Sequence, residues 1–312
     1  MEVLILVILA FLILALGAAL YFSQVIMFYY HYPPSTPEAG LIVREDDEYA
    51  KRVWKGFVHN PKKDLGYDYE DVSFTTREGL TLRGWYVPAS SAGERGVVLV
   101  HGAGVDRRAM QKHVSYLHRA GFYVLLFDLR NHGISDNNGR GLSFGLYEGY
   151  DIEAAVEYLK NQKGIKRAGV LGTSMGAVSA IYAASRNPAI DAALLENPYS
   201  DLYLLICGRP KVKHVPRFYV DFVLYIVSKR MGVNTKGIRP VDVISAISPR
   251  PVFLIHGTGD RGVSYKHSER LFGVALEPKE LWVVPGGEHE RIWNLVPLEY
   301  ERRVLDFFNR YL

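Results

Sequence analysis

The chain has 312 residues, 48% of them hydrophobic and 22% charged, with a net charge of +4 and a sequence pI of about 8.9. That is enough for one large α/β domain with residues left over for an appendage, and the dispersed, mildly basic charge gives no reason to expect nucleic acid as a partner. The single cysteine, Cys207, excludes an intramolecular disulfide and a cysteine-based metal cluster.

Residues Val3 to Tyr30 carry no charge. The run is long enough to cross a hydrocarbon core of roughly 30 Å as a helix. It is apolar all round, as a lipid-facing helix is, and Tyr29, Tyr30 and Tyr32 stand at its end, where interfacial aromatics belong. A cleaved signal peptide stays open through the small residues Ala15, Gly17 and Ala19, although the only early charge is Glu2 and a basic start is missing. A buried core helix fits less well, because the run precedes a complete domain and is followed by Pro33-Pro34. Lys and Arg are absent before the run. Arg44, Lys51, Arg52, Lys55, Lys62 and Lys63 follow it, which favours a cell-membrane anchor with the remainder of the chain on the cytoplasmic side.

Residues 31–70 read as a tether. HYPPSTPEAG is Pro-rich, and Glu45 to Val58 fits a short amphipathic helix with Tyr49, Val53, Trp54 and Phe57 on one face. From Asp71 the pattern is strand, strand, then strands alternating with helices. DVSFTT and LTLRGWYVP form an antiparallel pair around Glu78-Gly79. GVVLVHG, YVLLFDLR, RAGVLGTS, DAALLENP, PVFLIHGTGD and KELWVVPGG follow, most of them separated by segments of helical spacing. Continuous apolar strands alternating with helices imply a mostly parallel central sheet flanked by helices on both faces. Residues 202–248 interrupt the alternation where ligands bind in open α/β folds, and read as a short helical, lid-like insertion. Its second segment, FYVDFVLYIVSKRM, fits either a helix packed on the core or a lid in contact with acyl chains or membrane. Arg209, Lys211, Lys213, His214 and Arg217 fit either solvation or anionic headgroups.

The chemistry centres on Gly172-Thr173-Ser174-Met175-Gly176. An apolar run ends there and a small-residue helix begins, so Ser174 stands at the apex of a strand–turn–helix whose glycines let strand and helix close on each other. A serine nucleophile needs a general base, and the base an orienting carboxylate. Of the ten histidines, His289 follows a strand and the loop Pro285-Gly286-Gly287 near the C-terminus, from which it reaches over the sheet edge. His132 is the rival, but it precedes the serine, and a structural turn suits it better. Asp260 ends the strand PVFLIHGTGD, with a turn-forming Asx role as the bland alternative. The tetrahedral intermediate needs backbone donors. The N–H groups of Met175 and Ala103 are the candidates, with Gly104 as the alternative to Ala103.

These pieces resemble a known family. GVVLVHGAG, the FDLRNHGIS turn, VLGTSMGA, PVFLIHGTGD and the PGGEHE loop, from about Asp71 to Leu312, are similar to the α/β-hydrolase serine hydrolases of the monoacylglycerol lipase, lysophospholipase and carboxylesterase group. Membrane-bound protein depalmitoylases share much of the pattern. The resemblance implies an α/β-hydrolase fold and acyl-ester or thioester hydrolysis by Ser174, Asp260 and His289, with no metal and no organic cofactor. The N-terminal membrane span departs from the soluble members, and the short insertion leaves the form of the cap undetermined. The expectation is a membrane-anchored lipid esterase with residues 1–30 as the span and 71–312 as the catalytic domain. Its partners would be an acyl-ester lipid and the bilayer. A homodimer, an amidase or peptidase activity, a protein thioesterase and a silent scaffold on the same fold all remain open.

Overall fold

A computed structural model describes residues 2–28 and 61–312, so the Pro-rich tether, the helix expected at Glu45 to Val58 and the interfacial tyrosines lie outside the described residues. Helix α1 (Glu2–Phe28) is followed by the short α2 (Pro61–Leu65) and the hairpin β1 (Glu70–Thr75) and β2 (Thr81–Val87). The alternating part comprises β3 (Arg95–Val100), α3 (Val114–Arg119), β4 (Tyr123–Phe127), α4 (Glu148–Gln162), β5 (Arg167–Thr173), α5 (Met175–Arg186) and β6 (Ala192–Glu196). The insertion contributes α6 (Leu202–Gly208) and α7 (Arg217–Met231). β7 (Val252–Gly257), α8 (Lys266–Val274), β8 (Lys279–Val284), α9 (Ile292–Leu295) and α10 (Pro297–Tyr311) complete the chain. The helix expected from Arg107 begins as 3₁₀ (Arg107–His113) and becomes α only at Val114.

The eight strands make one sheet in the order β1-β2-β4-β3-β5-β6-β7-β8. The hairpin and the β2–β4 pair are antiparallel, and every other pair is parallel. This is the α/β-hydrolase fold. The unbroken apolar strands have a direct cause, visible in β3. Val98 and Val100 enter a core with α4 and α5, while Val97 and Leu99 enter a second core with Tyr300, Val304 and Phe307 of α10. Successive side chains point to opposite faces, and both faces are covered. Parallel strands end on the same side, so the loops after β3, β5, β7 and β8 gather at one edge.

The insertion lies over that edge. The inner face of α7 (Val220, Val223, Leu224, Val227, Met231) is buried. Helix α1 packs against α7: Tyr219 Oη donates to the Ala15 carbonyl at 3.1 Å, and the Arg230 guanidinium donates to Ser23 Oγ at 2.8 Å and to the Gln24 side-chain oxygen. Ala19, Ser23 and Met27 are fully or almost fully buried. Met27 joins a cluster with Val178, Tyr182 and Tyr199, and its carbonyl accepts from Leu142 N–H at 3.1 Å. The helix is apolar all round in sequence, but its small residues Ala19 and Ser23 let the second half approach the protein closely. The first half, from Val7, stays exposed.

Candidate active site

Ser174 sits where β5 turns into α5, with φ 53° and ψ −118°. A left-handed φ on a non-glycine residue costs of order 1–3 kcal/mol, so the surroundings must hold it. The Ser174 N–H donates to the Glu196 carbonyl at 2.8 Å, tying the turn to the end of β6. The flanking glycines are required by space. A Cβ on Gly172 would lie 2.5 Å from the Gly176 carbonyl, and one on Gly176 would lie 2.5 Å from the carbonyls of Val100 and His101.

His289 is reached from the loop after β8. Its Nε2 lies 2.9 Å from Ser174 Oγ, and its Nδ1 lies 2.6 Å from Asp260 Oδ2. The Asp260 loop and the His289 loop are pressed together at Gly257, where a Cβ would stand 2.0 Å from the Gly287 carbonyl. The structure therefore brings Ser174, His289 and Asp260, expected from their strand ends, into one hydrogen-bonded chain. Asp260 also accepts from the N–H groups of Gly262 (2.8 Å) and Val263 (2.7 Å) and from Asn197 Nδ2 (2.9 Å). Burial pushes its carboxyl up, but hydrogen bonds from His256 and His289 and the Val263 N–H outweigh it, and the group is held well below the usual carboxylate range. For His289, burial disfavours the charge. The hydrogen bond and charge of Asp260 outweigh burial, with help from Glu290 and Glu196, so its pKa is raised. An ionised Asp260 that accepts a hydrogen bond from Nδ1–H leaves Nε2 free to take the proton of Ser174 Oγ–H.

The loop His101-Gly102-Ala103-Gly104 after β3 is held by two histidines. His101 Nε2 accepts from the Leu129 N–H at 3.0 Å, so Nδ1 carries the proton and donates to the Gly102 carbonyl at 2.7 Å. His132 Nδ1 donates to the Arg130 carbonyl at 2.8 Å, which leaves Nε2 to accept the Gly104 N–H at 3.3 Å. Burial keeps both rings neutral, His101 being lowered to about 3 and His132 below its ordinary value. Beneath them, Asp128 accepts from the N–H groups of Arg107 and Ile134 (both 2.9 Å) and pairs with the Arg107 guanidinium. With Gly104 committed to His132, Ala103 is the loop N–H better suited to an incoming oxyanion. Met175, the first residue of α5, has no carbonyl within the helix for its own N–H to meet.

Sequence reasoning passed over three groups here. Asn197, in the left-handed region at φ 52°, follows β6 directly and bonds Asp260. His256 stands at the end of β7. It does hold the Val263 carbonyl (2.9 Å) and Ser268 Oγ (2.7 Å), but it also stands 3.4 Å from Asp260. Glu290 follows His289 with φ 57°, and its carboxylate lies beside Gly102 and Thr173. An Asn or Glu immediately adjoining a strand end or a site histidine was the available signal.

Comparison with known proteins places this geometry in context. Residues 93–236 match the family model Hydrolase_4, described as "Serine aminopeptidase, S33". An uncharacterised protein of Mycobacterium tuberculosis is 32% identical over 245 residues, 78% of each chain. Among solved structures, the esterase Pf2001 of Pyrococcus furiosus superposes with a TM-score of 0.66 at 30% identity, covering 81% of this chain and 94% of that one. The acylaminoacyl peptidase of Pyrococcus horikoshii shares the fold, with a TM-score of 0.64 at 18% identity, over 80% of this chain and 42% of that one.

Proposed function

Because this chain belongs to the α/β-hydrolase family of serine hydrolases, we propose that it is a membrane-anchored esterase that cleaves carboxylic esters of lipids. The monoacylglycerols, lysophospholipids and phospholipids are the substrate class. The observation that carries the reading is His289 bridging Ser174 Oγ and Asp260. Ser174 Oγ attacks the ester carbonyl as its proton passes to His289 Nε2. The N–H groups of Ala103 and Met175 receive the oxyanion. The C–O bond to the alcohol breaks, and His289 returns the proton to the leaving oxygen. Water then repeats the sequence on the acyl-enzyme and releases the acid.

Two things support the ester and the lipid in turn. One is the 30% identity to an esterase. The other is α1, whose Val7–Met27 stretch is long and apolar enough to cross a membrane. An anchored enzyme meets membrane-borne substrate at high effective concentration. The basic residues that follow α1 in sequence favour the cytoplasmic side. A peptidase reading draws on the matched family's description and stands second. A thioesterase would use the same proton path.

The test is the full-length chain assayed against acyl esters of increasing length, acyl thioesters and aminoacyl amides in parallel. Esters turned over well above amides, with preference for long chains, are the expected result; amides cleaved faster would replace the proposal with the peptidase. Labelling by a fluorophosphonate probe, lost in Ser174→Ala, checks the nucleophile separately.

A further inference from the structure

The joint between α1 and α7 bears on how the body of the protein meets a bilayer. Contacts with the cap begin at Ala15, and the helix before it is exposed from Val7 to Leu14. The exposed apolar side of α1 continues past Ala15 through Leu16, Leu20, Tyr21 and Phe22. The exposed apolar side of α1 therefore runs alongside α7.

Helix α7 is built for that position. Its inner face is buried, while its outer side exposes Phe218, Phe222 and Tyr225, 76%, 41% and 57% accessible. They are spaced i, i+4, i+7 and so form one stripe. Leu204 of α6 is exposed as well. Three large aromatic residues on a stripe adjoining a lipid-class helix, with Lys229 Nζ 5.5 Å from the centre of the Tyr225 ring at its far end, are of a kind that a water-facing cap does not need. The exposed residues Arg209, Lys211, Lys213 and Arg217 cluster at the start of α7. These charges stay among headgroups, with their long stems reaching past the apolar layer, and they limit how deep α7 goes. At the other end Arg230 bonds the buried Ser23 and the exposed Gln24, one turn before Met27 packs into the apolar cluster beneath.

We infer that α7 is an interfacial helix: it lies at the boundary of headgroups and acyl chains, with Phe218, Phe222 and Tyr225 in lipid and the basic residues before it on anionic headgroups, while α1 crosses the bilayer at a tilt beside it. The cap is thus seated on the membrane, with no gap of tether between them. The inference rests on the membrane-anchored reading above and adds that the roof over Ser174 faces lipid. It fits the position of Met27, which packs with Val178, one turn after Ser174.

The test uses the full chain in vesicles of phosphatidylcholine and phosphatidylglycerol containing nitroxide-labelled lipid. In a Cys207→Ser background, an environment-sensitive fluorophore is attached to Phe222→Cys, to Leu12→Cys on α1, or to Arg302→Cys on α10 far from the cap. The expected result is strong quenching at 222 by a nitroxide near the headgroup, quenching at 12 by a deep nitroxide, and several-fold less at 302. Label 222 behaving like 302 while label 12 is quenched overturns the seated cap and leaves the anchor standing. Label 12 unquenched overturns anchor and seat together. The pair Lys211→Glu and Lys213→Glu should lower the quenching at 222. Unchanged quenching overturns the headgroup contact.

Discussion

The carboxyl edge of the sheet and the cap above it are organised by different physics. At the edge, position follows from strand ends. Ser174 follows β5, Asp260 lies three residues beyond β7, His289 lies five beyond β8, and the His101 loop follows β3. Parallel strands bring those ends together whatever the loops contain, and hydrogen bonds of 2.6–2.9 Å then fix the side chains. In the cap, α1 and α7 meet across about two hundred residues of sequence through small residues, one tyrosine and one arginine. No strand register places them, and both expose large apolar side chains. The edge is built to hold one geometry, and the cap to present a surface.

The largest way to break the comparison is at the edge. Ser174→Ala should lower kcat by roughly 10⁶-fold, with probe labelling abolished and the thermal midpoint little changed. A residual rate near wild type would mean that chemistry resides elsewhere. Asp260→Asn should follow at roughly 10³- to 10⁴-fold, because the amide presents Nδ2 to a ring that must donate from Nδ1. Its pH profile sharpens the point. His289 acts as base only when neutral, so kcat/KM rises with pH through its pKa, which Asp260 holds above the ordinary value of about 6.5. In Asp260→Asn that limb should move to lower pH; a limb that stays in place would show that His289 is tuned by Glu290 and Glu196 instead.

His132 tests whether the edge extends to its neighbours. It accepts the Gly104 N–H and so fixes the loop carrying Ala103. His132→Ala should reduce kcat by roughly 10- to 100-fold, below the cost of deleting an oxyanion donor outright, with KM little affected. His132→Gln retains an acceptor and should recover part of the loss. Equal losses in the two variants would point to packing alone.

Stability against acid probes the same histidines. His101 and His132 are buried neutral, with folded pKa values below the unfolded one. Below about pH 6.5 the unfolded chain takes up protons that the folded chain refuses, so stability falls by about 1.4 kcal/mol per pH unit for each such group. For His101 the window runs from about 6.5 down to about 3. Urea titrations from pH 7 to pH 5 should show this slope, and it should flatten in His132→Gln.

Legibility in the sequence divides along the same line. The sheet, Ser174, Asp260 and His289 were accessible because apolar strands, a Gly-flanked serine and strand-end polar residues obey local rules. His132 was visible as a candidate but its role was not, since a hydrogen bond to Gly104 depends on how two loops after different strands fold against each other. Asn197 carries no local pattern beyond its place after β6. The seam between α1 and α7 was hidden for a physical reason. A helix apolar on every side does not say which face packs, and Ala19 and Ser23 become informative only when the partner helix is known.

That seam supplies the smallest expected effect and separates the two regions most cleanly. Arg230 is largely exposed and ties α7 to Ser23 and Gln24 at the edge of the apolar layer. Arg230→Ala should cost about 1 kcal/mol or less, as partly solvated polar contacts do, and should leave turnover of a short, water-soluble ester unchanged within roughly twofold, because nothing at Ser174 moves. On long-chain esters in vesicles the same variant should lose rate, since a cap detached from α1 no longer holds its aromatic stripe at the lipid surface. A variant impaired equally on both substrates would show that the seam supports the catalytic edge itself. One impaired on neither would show that α1 anchors the protein without orienting it.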